Sequence, residues 1–311
     1  MNKINTSSLS KICGFAMTVL LLSHVLSHVL SHAQDTNATT WEQILTEKKI
    51  VQQDSSYLVI TEQYAAYAQQ QAPVVAHPII KSITIIENNE PIIDIKLMQN
   101  KRINMLPDAP SKQVFVGPMY NSGLPSASKM RLGIWQKLER VLANLDNLAE
   151  SFGYKPGKIS IKVFEGLRDI ETQKKLFMNK FDEIKRNNPS MSDDMIESET
   201  AKWVSPFKNN IPVHATGAAV DIRLWNDETN DFVDLGPFGV IWGTNKEAQT
   251  FSENLSDHQK FNRLYLLMAT AKAGLVNYAY EYWHYSAGDR YAVYWQEKND
   301  AKRCACYGLI Q

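Results

Sequence analysis

VHATGAAVDIRL, residues 213–224, opens as a polar turn and closes as a strand. His214 is followed by Ala215, Thr216, Gly217, Ala218 and Ala219, small side chains that let a backbone turn tightly and let other groups come close. VDIRL (220–224) then reads as a strand. Working outward, KISIKVF (158–164) alternates and reads as a second strand. Residues 129–152 carry Trp135, Leu138, Leu142, Leu145 and Leu148 at helical spacing, with Gly153 as the stop. Asp169 is placed to cap a helix whose apolar positions are Leu176, Phe177, Phe181 and Ile184. A short helix is expected over 192–203 after Pro189, and an amphipathic one over 257–273 ending at Gly274. VNYAYEYWHYSAGDRYAVYW (276–295) reads as aromatic strand with a turn at Gly288. Helices and strands come in clusters rather than strict alternation, which points to an α+β fold.

The N-terminal part carries less signal. Residues 34–75 read as one or two short helices on the surface, broken by Pro73. From Ile79 to Leu97 the density of Ile, bounded by Asn88, Asn89 and Pro91, predicts two strands and a turn. Pro107, Pro110, Pro118 and Pro125 make 106–127 an irregular wrap, and Gly236, Pro237, Gly239 and Gly243 mark 225–256 as a long loop.

Composition removes several function classes. The 311 residues carry 33 Lys and Arg against 33 Asp and Glu, so the basic excess that grips nucleic acid is missing. At 44% hydrophobic and 21% charged residues, the chain has the apolar content to build a core. Three cysteines are too few for a disulfide scaffold or a four-cysteine zinc module.

The first 33 residues read as an address. Lys3 and Lys11, an apolar run from Ile12 to Leu22, the repeated SHVL-SHVL-SHAQ and Ala33 describe a secretory signal peptide cleaved near Ala33. The competing reading is a membrane anchor, but the apolar run is about half of the roughly 20 residues a span needs. The chain is therefore expected in the periplasm or outside the cell, with no membrane span after cleavage. Cys13 precedes the apolar run, which argues against a lipid-modified cysteine. Loss of the leader leaves His77, His214, His258 and His284 as the candidates for any metal site. Cys304 and Cys306 also remain, either as a strained small-ring disulfide or as two separate thiols.

Two of the four histidines sit in chemical company. His214 lies seven residues before Asp221, and Glu281 lies three before His284 in EYWHY (281–285). Two imidazoles and one carboxylate can hold zinc and leave a fourth position open for water, a catalytic rather than a structural arrangement. A carboxylate outside the ligand set can take the water's proton, and Glu281 is the natural candidate. On a strand, Glu281 and His284 would point apart, so a bend or bulge must bring them together. The residues alone also fit a blander picture, with His284 a packed core histidine, Glu281 a surface acid, and His214 and Asp221 part of a polar loop. His77 reads as structural and His258 as solvent-facing.

Together these elements resemble the zinc peptidases that cut D-Ala-D-Ala, a family that includes D-alanyl-D-alanine dipeptidases and the related D,D-carboxypeptidases. The family pattern of His, then Gly at the third following position, Ala at the fifth and Asp at the seventh is matched by His214, Gly217, Ala219 and Asp221. Its Glu-x-Trp-His motif is matched by Glu281, Tyr282, Trp283 and His284. EGLRDIETQ (165–173) resembles its glycine-x-arginine element, and DLGPFG (234–239) resembles a dipeptidase loop. The likeness runs from about Pro91 to Trp295. Departures are Pro212 where members often have Ser, and Leu167-Arg168-Asp169 where dipeptidases usually have Tyr-Arg-Pro. Gln173 resembles the carboxypeptidase version, whereas Trp283-His284-Tyr285 leans toward the dipeptidases.

The resemblance implies a small antiparallel sheet carrying a zinc site and flanked by helices, the D-Ala-D-Ala metallopeptidase or hedgehog-like fold. It divides the chain into a signal peptide (1–33), an N-terminal extension that is helical then strand-like (34–90), and the peptidase domain (91–311). It implies one Zn²⁺ per chain held by His214, Asp221 and His284, with Glu281 as the base. Arg168 would steady the developing oxyanion or hold substrate. The implied partner is D-Ala-D-Ala or a peptidoglycan stem peptide. The competing functions are a D,D-carboxypeptidase or endopeptidase on stem peptides, a non-catalytic cell-wall binding module, and a structural envelope protein.

Overall fold

The structure, a computed structural model, describes residues 38–106, 125–201, 204–238, 246–298 and 300–310. The expected signal peptide lies outside these residues, as do Pro107, Pro110, Pro118, Trp203, Gly239 and Gly243. Thr39–Gln311 forms one unit.

Thr40 and Gln43 make a capping box that starts helix α1 (Trp41–Glu47). Helices α2 (Ile50–Gln53) and α3 (Leu58–Ala68) follow. These helices are not a surface layer as the sequence suggested. Trp41, Ile50, Tyr57 and Ile60 are buried in the main core, and the Trp41 indole N–H donates to the Ser252 carbonyl at 3.1 Å. Next come α4 (Pro78–Lys81), β1 (Thr84–Ile85), β2 (Ile92–Asp94), β3 (Ile103–Met105), β4 (Lys129–Arg131) and α5 (Leu132–Leu148). His77 is structural, its ring Nδ1 accepting from the Ile79 N–H at the start of α4.

The second half runs β5 (Ile159–Glu165), α6 (Ile170–Asn187), α7 (Asp193–Thr200), β6 (Ala219–Asn226) and β7 (Asp231–Phe232). It continues with α8 (Asp257–Lys272), β8 (Val276–Tyr278), β9 (Glu281–Ser286), α9 (Arg290–Gln296) and β10 (Cys304–Ala305). Asp169 caps α6 as expected, accepting from the Thr172 N–H at 2.8 Å. His258, in the first turn of α8, is exposed.

The main sheet has the order β3-β5-β6-β9-β8, with β7 also paired to β6. Helices α5 and α8 pack on each other beside it, joined by the Tyr265 hydroxyl donating to the Leu145 carbonyl at 2.7 Å. Ile134, Trp135, Leu138, Val141, Leu142 and Leu145 give α5 its buried face, the spacing of three and four that one side of a helix requires.

Four further expectations need correction. The sheet is mixed rather than antiparallel: β3 runs parallel to β5, while the remaining pairs are antiparallel. The strands at 84–85 and 92–94 do not form a hairpin. β1 pairs with β10 at the far end of the chain, and β2 pairs with β4. PIIK (78–81) is a helical turn, because Pro fits the first helical position and His77 caps it. Finally, RYAVYW is helical, not strand. Asp289 accepts from the N–H groups of Tyr291 and Ala292, which starts α9, and Tyr291, Ala292 and Trp295 pack against Ile80 and Val276. Aromatic content suggested strand, and a cap decided otherwise. Cys304 and Cys306 are free thiols. Among the described residues, no helix is long and apolar enough to cross a membrane.

Candidate metal and catalytic site

β6 lies between β5 and β9, and Asp221 sits at the point where both pairings meet. Its register partners are Glu165 on β5 and His284 on β9. His214 arrives from the preceding 3₁₀ turn (Val213–Thr216), which Gly217 ends with φ of 68°. That left-handed conformation disfavours any other residue. A Cβ there would also lie 3.0 Å from the Ile92 Cδ1.

The His214 Nδ1 lies 2.8 Å from the Gly166 carbonyl. A carbonyl only accepts, so Nδ1 carries the proton and Nε2 presents its lone pair. That Nε2 is 3.1 Å from the His284 Nδ1 and 3.4 Å from the Asp221 Oδ1. The His284 Nδ1 is 3.0 Å from the same Asp221 oxygen. A tetrahedral ion with bonds of roughly 2.0–2.2 Å spaces its ligand atoms about 3.3 Å apart. The three observed edges of 3.0–3.4 Å therefore suit a zinc ion, and the donor set of two imidazoles and a carboxylate suits it chemically. The Gly166 carbonyl supplies the outer hydrogen bond that orients a metal-binding imidazole.

Electrostatics favour the same picture. Burial pushes the Asp221 carboxyl up, but the charges and hydrogen bonds of His214 and His284 outweigh it and hold the group well below the usual range. Burial depresses His214, yet Asp221 outweighs it and raises the imidazole's proton affinity. Such a triad is built to surround positive charge.

Glu281 stands beside the triad and outside it. Its Oε2 is 4.0 Å from the His284 Nδ1, and its side chain is 17% exposed. Burial pushes its carboxyl up to about 7, with Asp221 and Glu165 adding to the rise while His284 and Arg168 oppose it. The expected bulge is present. In the β8–β9 ladder Tyr278 faces Glu281 and Asn277 faces Tyr285, so residues 282–284 are extra on β9. The buried Asn277 amide spans the irregularity, its Nδ2 within 3.0–3.3 Å of the carbonyls of Glu281, Tyr282 and His284.

Arg168 is 5% exposed and tightly gripped. Its Nε and Nη2 donate to the two oxygens of Glu165 at 2.8 and 2.6 Å, and Nη1 donates to the Gln173 Oε1 at 2.9 Å. Gln173 in turn donates to the Ser205 carbonyl at 2.7 Å. The Arg168 guanidinium thus has its orientation set, and its charge acts on both His214 and Glu281.

The structure brings His214, Asp221, His284 and Glu281 together, and Arg168 adjoins them through its backbone N–H, which donates to the His214 carbonyl at 3.2 Å. Sequence reasoning passed over Glu165 and Asn277. A Glu three residues before the arginine, and one polar amide inside an aromatic strand, were the available signals.

Residues 164–302 match the family described as D-ala-D-ala dipeptidase. A D-alanyl-D-alanine dipeptidase of Synechocystis sp. (strain ATCC 27184 / PCC 6803 / Kazusa) is 27% identical over 254 residues, covering 74% of this chain and 96% of its own length. Among solved structures, VanYB in complex with D-Alanine-D-Alanine covers 55% of this chain and 78% of its own at 16% identity and a TM-score of 0.32. A vancomycin-resistance D,D-pentapeptidase VanY in complex with Zn(II) covers 55% and 82% at 17% identity and a TM-score of 0.30.

Proposed function

We propose that the chain, whose residues 164–302 match the D-ala-D-ala dipeptidase family, is a zinc-dependent dipeptidase that hydrolyses D-Ala-D-Ala in cell-wall metabolism. The observation that carries this reading is the pairing of a three-donor triad with a separate carboxylate whose proton affinity sits near neutrality. His214, Asp221 and His284 would hold one Zn²⁺. Bound there, zinc supplies a Lewis acid that acidifies water and polarises the scissile carbonyl.

The chain's own groups do the rest. Glu281 accepts the proton of the attacking water at a carboxylate oxygen and later delivers it to the leaving amine, as general base and then general acid. A carboxyl that titrates at about 7 can hold and release that proton at neutral pH. Arg168, oriented by Glu165 and Gln173, offers positive charge to the oxygen that becomes negative in the tetrahedral intermediate. His214, Asp221 and His284 are buried, and charges act more strongly in such low-dielectric surroundings than in water. The leader at residues 1–33 would deliver the chain to the periplasm or beyond, where the substrate occurs.

A second reading, a D,D-carboxypeptidase acting on stem peptides, is favoured by one contact. Gln173, the residue that resembles the carboxypeptidase pattern, holds Arg168 at 2.9 Å. The test is to incubate the purified chain, stripped and zinc-loaded, with D-Ala-D-Ala and with a stem pentapeptide, and to measure released D-Ala. Cleavage of the free dipeptide supports the first reading. Cleavage of the pentapeptide alone replaces it with the second, and cleavage of neither by zinc-loaded protein refutes both.

A further inference from the structure

Every carbonyl of the turn that carries His214 is engaged. The His214 carbonyl accepts from the N–H groups of Gly217 and Arg168, and the Ala215 carbonyl accepts from the Ile310 N–H at 3.0 Å. The Thr216 carbonyl accepts from the Arg131 Nε at 2.9 Å, and the Gly217 carbonyl accepts from the Arg131 backbone N–H at 2.9 Å. Three of these four acceptors are thus served by just two places: Arg131 and the end of the chain.

Arg131 itself is 2% exposed and spends all five of its side-chain N–H donors. Beyond Thr216, Nη1 meets the Glu87 Oε1 at 2.9 Å and the Glu90 carbonyl at 3.0 Å. Nη2 meets the Glu87 Oε2 at 3.1 Å and the Gly308 carbonyl at 3.4 Å. Glu87 closes the circuit by accepting from the Gly308 N–H at 2.5 Å. One guanidinium therefore ties together a segment before the family-matched region, the tail after it, and the backbone of a metal-ligand turn.

We infer that Arg131, locked by Glu87 and the 308–310 tail, is a positioning residue that presets His214 for metal. The inference rests on the zinc site proposed above. Lysine cannot replace it, because an ammonium presents a point charge and lacks the fixed fork that reaches Thr216, Glu90 and Glu87 at once. The contact acts through the backbone, so its loss leaves all three ligand side chains in the chain yet shifts one of them. Loss of an outer partner of a metal ligand characteristically costs about 10–100-fold in metal affinity.

The experiment measures zinc affinity by chelator competition, together with the melting temperature of the metal-free protein. The set is wild type, Arg131→Lys, Glu87→Gln, a truncation after Tyr307, and His214→Ala. Arg102→Lys serves as the control, because Arg102 forms an equally well-bonded pair with Asp146, in contact with β5 and α5 rather than with the His214 turn. The expected result is a zinc Kd raised about 10–100-fold in Arg131→Lys, with smaller rises in Glu87→Gln and in the truncation. Arg102→Lys should lower the melting temperature without moving the Kd. If Arg131→Lys proves too unstable to purify, the Glu87→Gln and truncated chains carry the same test. An unchanged Kd in these chains, or an equal rise in Arg102→Lys, overturns the positioning role while His214→Ala still loses zinc. If wild type and His214→Ala bind zinc equally, the metal site itself is wrong and the inference falls with it.

Discussion

The two histidines of the triad are held in opposite ways. His214 is fixed from outside: its Nδ1–H donates to Gly166, and its turn is tied to β4, to the Arg168 backbone and to the C-terminal tail. His284 sits on a bulged strand whose backbone is held by Asn277, and its ring Nε2 is buried with no hydrogen-bond partner among the described residues. The difference teaches how this sheet divides its labour. The His214 half is preset to serve as the ligand mount proposed above. The β9 half bends away from regular pairing so that Glu281 and His284 can share a site, and the buried His284 Nε2 is left without a partner among the described residues.

That contrast can be tested, beginning with the largest effect. Glu281→Gln keeps the shape of the bulge and removes the base, so kcat should fall about 10²–10⁴-fold while zinc content stays at the wild-type level. Metal analysis alongside turnover checks both halves of the statement. Glu165→Gln weakens the grip on Arg168 without touching a ligand. It should lower kcat/KM by roughly 10–100-fold, about 1.4–3 kcal/mol of transition-state stabilisation, with zinc affinity little changed.

Asn277→Ala strips the amide from three buried carbonyls. It should destabilise the chain by about 1–3 kcal/mol in denaturant unfolding. It should also lower kcat more than it raises the zinc Kd, because it loosens the base more than the His214 mount. An equal effect on both would break the comparison.

The smallest effect concerns the metal-free protein. The folded chain binds the Glu281 proton more tightly than the unfolded chain does, since burial lifts that carboxyl from 4.5 to about 7. The cost of the buried charge is therefore absent below about pH 4.5, grows between the two values, and is complete above about pH 7. Glu281→Gln removes it. The metal-free variant should be more stable than metal-free wild type at pH 8, by about 1–3 kcal/mol, and the gap should close as the pH falls toward 4.5. Denaturant curves at three pH values check the sign.

Much of the site was legible because it is local. His214 to Asp221, and Glu281 to His284, are short spacings whose residue types already constrain the chemistry, and all four residues meet in space. Even the bulge could be anticipated, since a regular strand would have turned Glu281 and His284 apart. What escaped was long-range. The pairing of β1 with β10 joins residues more than two hundred positions apart, and no local pattern in ITII or CAC announces it. Glu165 looked like the end of a strand, and only the fold shows that it clamps Arg168 and faces Asp221. RYAVYW misled because its aromatics match strand propensity, whereas one Asp289 cap and packing against Ile80 and Val276 made it a helix. Propensity is a weak prior that tertiary context overrides.

The account stands on the claim that His214, Asp221 and His284 hold a metal that Glu281 does not ligate. Equilibrium dialysis of wild type, His214→Ala and Glu281→Gln against zinc, followed by metal analysis, tests it most directly. The account predicts one zinc per chain in wild type and in Glu281→Gln, and none in His214→Ala. A full zinc complement in His214→Ala, or loss of zinc in Glu281→Gln, would contradict it.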